Sequence, residues 1–295
     1  MPDEQKPMTG RICLVTGATS GIGAATALLL AGQGATLIGV GRNPKKCSSS
    51  VDRIKTATGN PSVEFLLADL SVQSEICALA RQIKERHQRL DVLINNAGAR
   101  FSRRLVSADG FEMTFALNHL GYFLLTCLLL DELKRSGRGR IINIASAAHR
   151  SCPGIDFQDL QGEKNYNGKA AYAQSKLANL LFTYELHRQL QGTGVTANAV
   201  DPGNVMSGFS RNNGALSWTR HLIGSLRSGG LSGPGEAAKT SVYLASSTEV
   251  EGLSGNYYYR KGTVNSSGVS YDAALARRLW KVSLELVFQV HCLKN

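Results

Sequence analysis

The chain has 295 residues, 43% of them hydrophobic and 19% charged, a balance that suits a folded globular protein and excludes an intrinsically disordered one. Lys and Arg total 33 against 22 Asp and Glu, a net charge of +11. That favours an anionic partner, whether nucleic acid, a membrane surface or a phosphorylated small molecule. The basic residues are scattered and form no long run, which weakens the nucleic-acid reading. The six cysteines lie far apart with no CxxC pair. They read as reduced thiols, with neither a disulfide frame nor a metal site expected. Residues 1–7 lack the basic and apolar regions of a signal peptide, and the longest apolar run, 121–130, is about half a bilayer span. The expectation is a soluble, cytoplasmic protein.

Short apolar runs at 11–16, 35–41, 62–69, 90–95, 140–146, 195–200 and 256–259 read as strands. Most of the first six are apolar on both faces, the pattern of a parallel sheet covered on both sides. Helical patterns at 21–33, 44–58, 72–88, 112–134, 170–191 and 235–246 separate them. This alternation predicts an α/β fold of the Rossmann type, a doubly wound parallel sheet of about seven strands. No composition shift divides the chain, so 1–295 reads as one domain with a helical extension over 271–295. Two stretches break the rhythm. Residues 147–169 are polar and irregular. Residues 203–234 are rich in Gly and Ser yet carry Phe209, Leu216, Trp218, Leu222, Ile223 and Leu226, which suggests a lid over a ligand rather than a bare surface loop.

The first strand runs into Thr16-Gly17-Ala18-Thr19-Ser20-Gly21-Ile22-Gly23 and then a helix. In this position Gly17 permits a tight turn, Gly21 leaves room for phosphates and Gly23 allows close helix packing. The helix N-terminus then offers N–H groups to a dinucleotide pyrophosphate. The second strand ends in Arg42-Asn43, with Lys45 and Lys46 next and no acidic residue to bind a ribose 2′-hydroxyl. That favours NADP(H) over NAD(H). Asp69-Leu70 closes the third strand, where the carboxylate could meet an adenine amino group or cap the next helix. The fourth ends in Asn95-Asn96-Ala97-Gly98, small residues and amides that leave room for a ligand.

Tyr172 and Lys176, four apart, share one helix face. Ser146 ends the fifth strand on the same edge as the glycine turn, where doubly wound folds bind ligands. With TGATSGIG, Asp69-Leu70, NNAG, Asn118 and Asp201-Pro202-Gly203 in the same order, the chain resembles the short-chain dehydrogenase/reductase family over nearly its whole length. FALNHLGYFLLT (115–126), SAAH (146–149), AYAQSKLANLLF (171–182) and ARRLWKVSLELV (276–287) resemble its retinol dehydrogenase-like branch. The resemblance implies an NADP-dependent oxidoreductase interconverting an alcohol and an aldehyde or ketone. Tyr172 would be the general acid/base, helped by Lys176, with Ser146 on the carbonyl oxygen and Asn118 holding a relay water. Pro202, Gly203 and Val205 would border the cofactor along with the glycine turn. Two departures stand out. The Ser146–Tyr172 spacing is longer than usual in the family, as it is in the branch. Asp201 stands where the branch often has His.

A catalytically silent NADP-binding sensor on the same fold is the alternative, but it would not need Ser146, Tyr172 and Lys176 together. His149 near the site invites a hydrolase reading, yet Ser146 has no GxSxG elbow. The expected substrate is a lipophilic retinoid, steroid or fatty aldehyde, with no nucleic acid as partner; homo-oligomerisation is left open. Residues 272–288 carry Leu275, Leu279, Val282 and Leu286 at helical spacing with Arg277, Arg278 and Lys281. This reads as a helix packed on its own domain, ahead of a weak peripheral membrane contact.

Overall fold

The computed structural model describes residues 6–205 and 233–287. The expected lid therefore lies, from 206 to 232, outside the described residues. An eight-stranded sheet forms the centre, in the order β3-β2-β1-β4-β5-β6-β7-β8. Its strands are β1 (Ile12–Thr16), β2 (Thr36–Gly41), β3 (Val63–Leu67), β4 (Val92–Asn95), β5 (Arg140–Ile144), β6 (Thr196–Asp201), β7 (Tyr257–Tyr259) and β8 (Gly262–Thr263). The first seven pair in parallel and β8 turns back antiparallel on β7. That last strand is only two residues long, too short to leave a pattern in the sequence. Its turn is Arg260-Lys261, both at positive φ (49° and 67°), so the usual glycine signal of a tight hairpin is missing.

Alternation along the strands supplies both core layers. Leu14, Ile38 and Leu93 face one side, beneath α3 (Gln73–Arg86), α5 (Gly121–Leu128) and α7 (Gly168–Gln189). Cys13, Val15, Leu37 and Ile94 face the other, beneath α1 (Gly21–Gly32) and α2 (Pro44–Thr58). The helix α8 (Pro234–Ser246) joins this second layer through Val242 and Leu244. The C-terminal α9 (Ala273–Val287) docks on the first layer.

The expected single helix over 112–134 is broken. It comprises α4 (Met113–Phe115), a π-helical turn at Ala116–Leu120, α5, and α6 (Leu130–Arg135). An extra residue in a turn often marks a functional site, and this turn carries Asn118. Periodicity could not reveal it because the stretch is apolar on nearly every face. A buried polar ladder fixes the helices to the strand tips. Asn95 Nδ2 donates to Asn143 Oδ1 (2.8 Å) and to Thr126 Oγ1 on α5 (3.0 Å), and Asn143 Nδ2 donates to Thr183 Oγ1 on α7 (3.0 Å). One expectation is corrected: Cys77 on α3 is disulfide-bonded, while Cys13, Cys47, Cys127 and Cys152 are free thiols. Sequence separation places no limit on such pairing, so spacing alone could not exclude it.

Candidate active site

The glycine turn between β1 and α1 is a cradle that side chains would fill. Gly17 and Gly21 take positive φ (66° and 56°), which L side chains disfavour. A Cβ on Gly17 would lie 2.9 Å from the Ala97 Cα, and one on Gly23 would strike the Asn96 amide and the Gly17 carbonyl. Gly23 thus makes room for Asn96 and for the turn itself. Asn96 Nδ2 donates to Thr16 O (2.8 Å), and the Asn96 and Ala97 N–H groups share Thr16 Oγ1 (2.8 and 3.0 Å). NNAG therefore locks the turn's geometry from β4. Ser20 precedes α1 in extended conformation with no side-chain cap, and no acidic residue occupies the first turn. The α1 N-terminus, flanked by Thr19 and Ile22, thus presents N–H groups and positive potential to an anion. A pyrophosphate fits this cradle.

At the tips of β2 and β3, Arg42 Nη1 lies 3.5 Å from Asp69 Oδ2. Asn43 caps α2 by accepting from Lys46 N at 3.0 Å. Asp69 does not cap α3, whose N-cap is Val72. It instead accepts from Ser71 N (3.0 Å) and Ser71 Oγ (2.7 Å), shaping the turn in which Leu70 is buried. Burial raises the Asp69 carboxyl, but the Ser71 hydrogen bonds and Arg42 together carry it below the ordinary range. It is the anion its position requires.

Asn118, Ser146, Tyr172 and Lys176 gather at the C-terminal edge of β4–β6. Asn118 is fully buried. Its Oδ1 accepts from Ala99 N (2.9 Å), and its Nδ2 donates to Ala99 O and to Ser175 Oγ (both 3.0 Å). The side chain thus staples the loop after NNAG to α7, and Gly98 is small because a Cβ there would lie 3.1 Å from Asn118 Oδ1. Lys176 is 2% exposed. Its Nζ donates to Ile144 O at 2.8 Å and stands 5.7 Å from the Tyr172 ring centre and 5.8 Å from that of Tyr122. Burial pulls Lys176 down to about 7, against the Asp201 charge. Tyr172 is pushed up to about 12, first by burial and then by Asp201, while a hydrogen bond with Ser146 and the Arg100 charge act in the opposite sense. Tyr172 therefore holds its proton at neutral pH, while Lys176 titrates close to it.

Sequence reasoning gave no part to Tyr257 or Tyr122 and did not see what His149 and Asp201 do. His149 is wholly buried. The Ser267 N–H donates to its Nε2 at 3.0 Å, so Nδ1 keeps the ring proton and donates to Ser146 O at 2.6 Å. It positions the backbone of Ser146 and does not activate a nucleophile. The Tyr257 ring packs edge-on against His149, with centres 5.4 Å apart at 90°, and its hydroxyl donates to Asp201 Oδ2 at 3.0 Å. Asp201 Oδ1 accepts from Gly203 N at 2.9 Å, fixing the Pro202-Gly203 turn where Gly203 takes φ 74°. Val205 is buried just beyond it. The Tyr122 hydroxyl is buried without a partner among the described residues. The sequence placed His149 near the site but pointed only to a hydrolase, and only the departure from the family pattern drew the eye to Asp201. No group of His, Cys, Asp or Glu among the described residues could hold a metal.

A glycine cradle on a doubly wound sheet, with Ser, Tyr and Lys converging beside it, defines a nicotinamide-dependent oxidoreductase. The family model for short chain dehydrogenase matches residues 11–216, and the chain belongs to that family, in its retinol dehydrogenase-like branch. Retinol dehydrogenase 11 of Homo sapiens is 41% identical over 280 residues, covering 95% of this chain and 86% of the relative. Polyprenol dehydrogenase of Homo sapiens is 42% identical over 287 residues, covering 95% and 86%. Among solved structures, the RhlG/NADP active-site complex of Pseudomonas aeruginosa superposes with a TM-score of 0.69 at 28% identity. It spans 86% of this chain and 96% of that one. Membership makes the protein an oxidoreductase of alcohol and carbonyl groups that uses NAD or NADP.

Proposed function

We propose that the protein interconverts lipophilic alcohols and the corresponding aldehydes or ketones with NADP(H), Tyr172 acting as general acid/base. The observation that carries this reading is the meeting of Ser146, Tyr172 and Lys176 beside the glycine cradle, on one edge of the sheet. A bound nicotinamide supplies or accepts the hydride. A substrate oxygen held between Ser146 and Tyr172 would receive two hydrogen bonds as charge develops. Tyr172 gives that oxygen a proton in reduction and removes one in oxidation. Lys176, one helical turn along, lowers the cost of charge on the phenol and can donate to ribose hydroxyls. Arg42 and the missing acid at the end of β2 support NADP(H). The names of the retinol and polyprenol relatives support a lipophilic substrate.

We propose that membrane-dissolved substrates are reached from the aqueous side. Among the described residues no helix is long and apolar enough to cross a membrane. The test is to follow NADPH consumption spectroscopically against retinoid, steroid and fatty carbonyl compounds, with small hydrophilic carbonyls as controls. Preference for the lipophilic set with NADPH is expected. No turnover of any carbonyl with NADPH, and none of the matching alcohols with NADP, would overturn the reading.

A further inference from the structure

We propose that Asp201 is the counter-charge of the catalytic pair, a buried carboxylate that keeps Lys176 and Tyr172 protonated and thereby sets the pH range of the reaction. The proposal rests on the oxidoreductase reading above. Asp201 is the last residue of β6 and lies beside the end of β5, where Ile144 pairs with Val200 and Ala145 N donates to Val200 O at 2.8 Å. It therefore stands level with the Ala145–Ser146 step, one position beyond the strand residue whose carbonyl receives Lys176 Nζ.

The carboxylate is 9% exposed. Among the described residues its hydrogen bonds come from neutral donors, Tyr257 OH and Gly203 N, and no ion pair reaches it. Among the described residues Lys176 likewise touches no anion, because the Ile144 carbonyl is neutral. A buried carboxyl and a buried amine at one strand edge, each held by neutral partners, couple through a poorly screening interior whenever both are charged. The neighbouring groups do not replace this partnership. Tyr122 on α5 and Tyr172 on α7 flank the ammonium with their rings. His149 on the turn after β5 is neutral, with both nitrogens engaged. Tyr257 on β7 serves Asp201 itself. Arg100 on the loop after β4 and Arg150 beyond His149 are the remaining cations whose fields reach this cluster. Asp201 raises the proton affinity of Lys176, Tyr172 and Tyr257 alike.

A protonated tyrosine beside an ammonium is the state that can give a proton to a carbonyl oxygen. Alcohol oxidation needs the same tyrosine to have released its proton. The carboxylate therefore extends carbonyl reduction to higher pH and delays oxidation until higher pH.

The test does not require turnover. Isotope-labelled lysine side chains are titrated by NMR in the full chain, with the Lys176 signal identified by its loss in Lys176→Arg. In Asp201→Asn the Lys176 midpoint should fall by about one pH unit, and in Asp201→Glu it should stay near the wild-type value. An unmoved midpoint in a folded Asp201→Asn overturns the proposal, as does an equal fall in both variants. If Asp201→Asn fails to fold by circular dichroism, the neutral Asp201→Ser carries the same comparison. In turnover, the pH limbs of reduction and oxidation should both move to lower pH in Asp201→Asn. A moved midpoint in a protein that turns over no carbonyl would overturn the proposed function alone. An unmoved midpoint in an active enzyme would overturn the counter-charge alone.

Discussion

Arg42 and Asp69, at the tips of neighbouring strands β2 and β3, form an ion pair at 3.5 Å with side chains 63% and 27% exposed. Sequence reading gave the two residues separate tasks, one at the ribose phosphate and one at the adenine. The pairing couples those expected tasks, because each side chain holds the other in place. An exposed pair of this kind contributes only about 0–1 kcal/mol, so a 2′-phosphate can take over the arginine at little cost. Arg42→Ala should weaken NADPH binding by about ten- to a hundredfold, corresponding to roughly 1.5–3 kcal/mol for charge-assisted hydrogen bonds, and leave NADH unchanged. Arg42→Asp should reverse the preference. Isothermal titration with both cofactors measures this, and equal dissociation constants in the wild type would remove the basis for NADP(H).

Tyr172→Phe keeps the ring that packs beside Lys176 and removes the proton the reaction exchanges. Turnover should fall by about 10²-fold or more, with NADPH affinity within a fewfold of wild type. Rapid binding titration and steady-state kinetics on the same preparation separate these effects. Wild-type turnover in the variant would assign the proton to another group, with Tyr122 the first to examine because its hydroxyl is also buried in the site.

The strand sequence and the glycine turn were legible because their signals are local. A buried parallel strand is a short apolar run, and a phosphate cradle needs glycine at fixed spacings. What escaped depends on contacts distant in sequence. His149 reads as a stray imidazole until Ser267, from the far end of the chain, is seen to donate to it. Asp201 reads as a departure from a family pattern until Tyr257 binds it. The π turn at Ala116–Leu120 is hidden because its neighbours are apolar all round. The α9 stripe was read correctly in outline: Leu279 is buried and Leu275 and Leu286 pack against the core. The fully buried positions also include Ala276, Ser283 and Val287, and hydrophobicity alone would not choose an alanine and a serine.

The His149 clamp makes a pH-dependent contribution to stability. Burial lowers its proton affinity below the ordinary histidine value, and the nearby Arg150 charge acts the same way, against the Ser146 carbonyl and Asp201. The unfolded chain then binds more protons than the folded one between the two pKa values, so stability rises with pH across that window. The contribution is complete above about pH 6.5, the unfolded value, and is lost as the pH falls through the lower folded pKa. Protonation at Nε2 also removes the acceptor for Ser267 N–H. Thermal melts at a series of pH values should show a steeper acid-side loss of Tm in wild type than in His149→Gln, which cannot titrate. His149→Ala should cost about 1–3 kcal/mol by stranding the Ser267 donor. Parallel Tm–pH curves for wild type and His149→Gln would show that the imidazole does not titrate in this way.

Ser283 explains why α9 belongs to the catalytic domain. Its hydroxyl lies 2.8 Å from His119 Nε2, and His119 follows Asn118 on the π turn. Burial pulls His119 down to about 3, so the ring is neutral at working pH and the contact is a plain hydrogen bond. Around it Trp280 packs on Phe123 and Phe182, with ring centres 4.8 and 5.8 Å apart, while His119 itself lies against Phe115 at 5.0 Å. The helix therefore closes the layer behind the turn that carries Asn118, and losing it would loosen the staple from Asn118 to Ala99. Trp280→Ala should destabilise the protein by about 3–5 kcal/mol through the cavity left among these rings. Ser283→Ala should cost about 1–3 kcal/mol by leaving a buried imidazole nitrogen unpaired, and Ser283→Thr should restore part of it. A chain ending before Tyr271 should lose cooperative unfolding. Denaturant titration followed by tryptophan fluorescence and circular dichroism measures the point variants, and circular dichroism alone follows the shortened chain. A shortened chain that unfolds cooperatively at the full-length midpoint would show that α9 is an appendage and that the Ser283–His119 contact supports nothing at the active site.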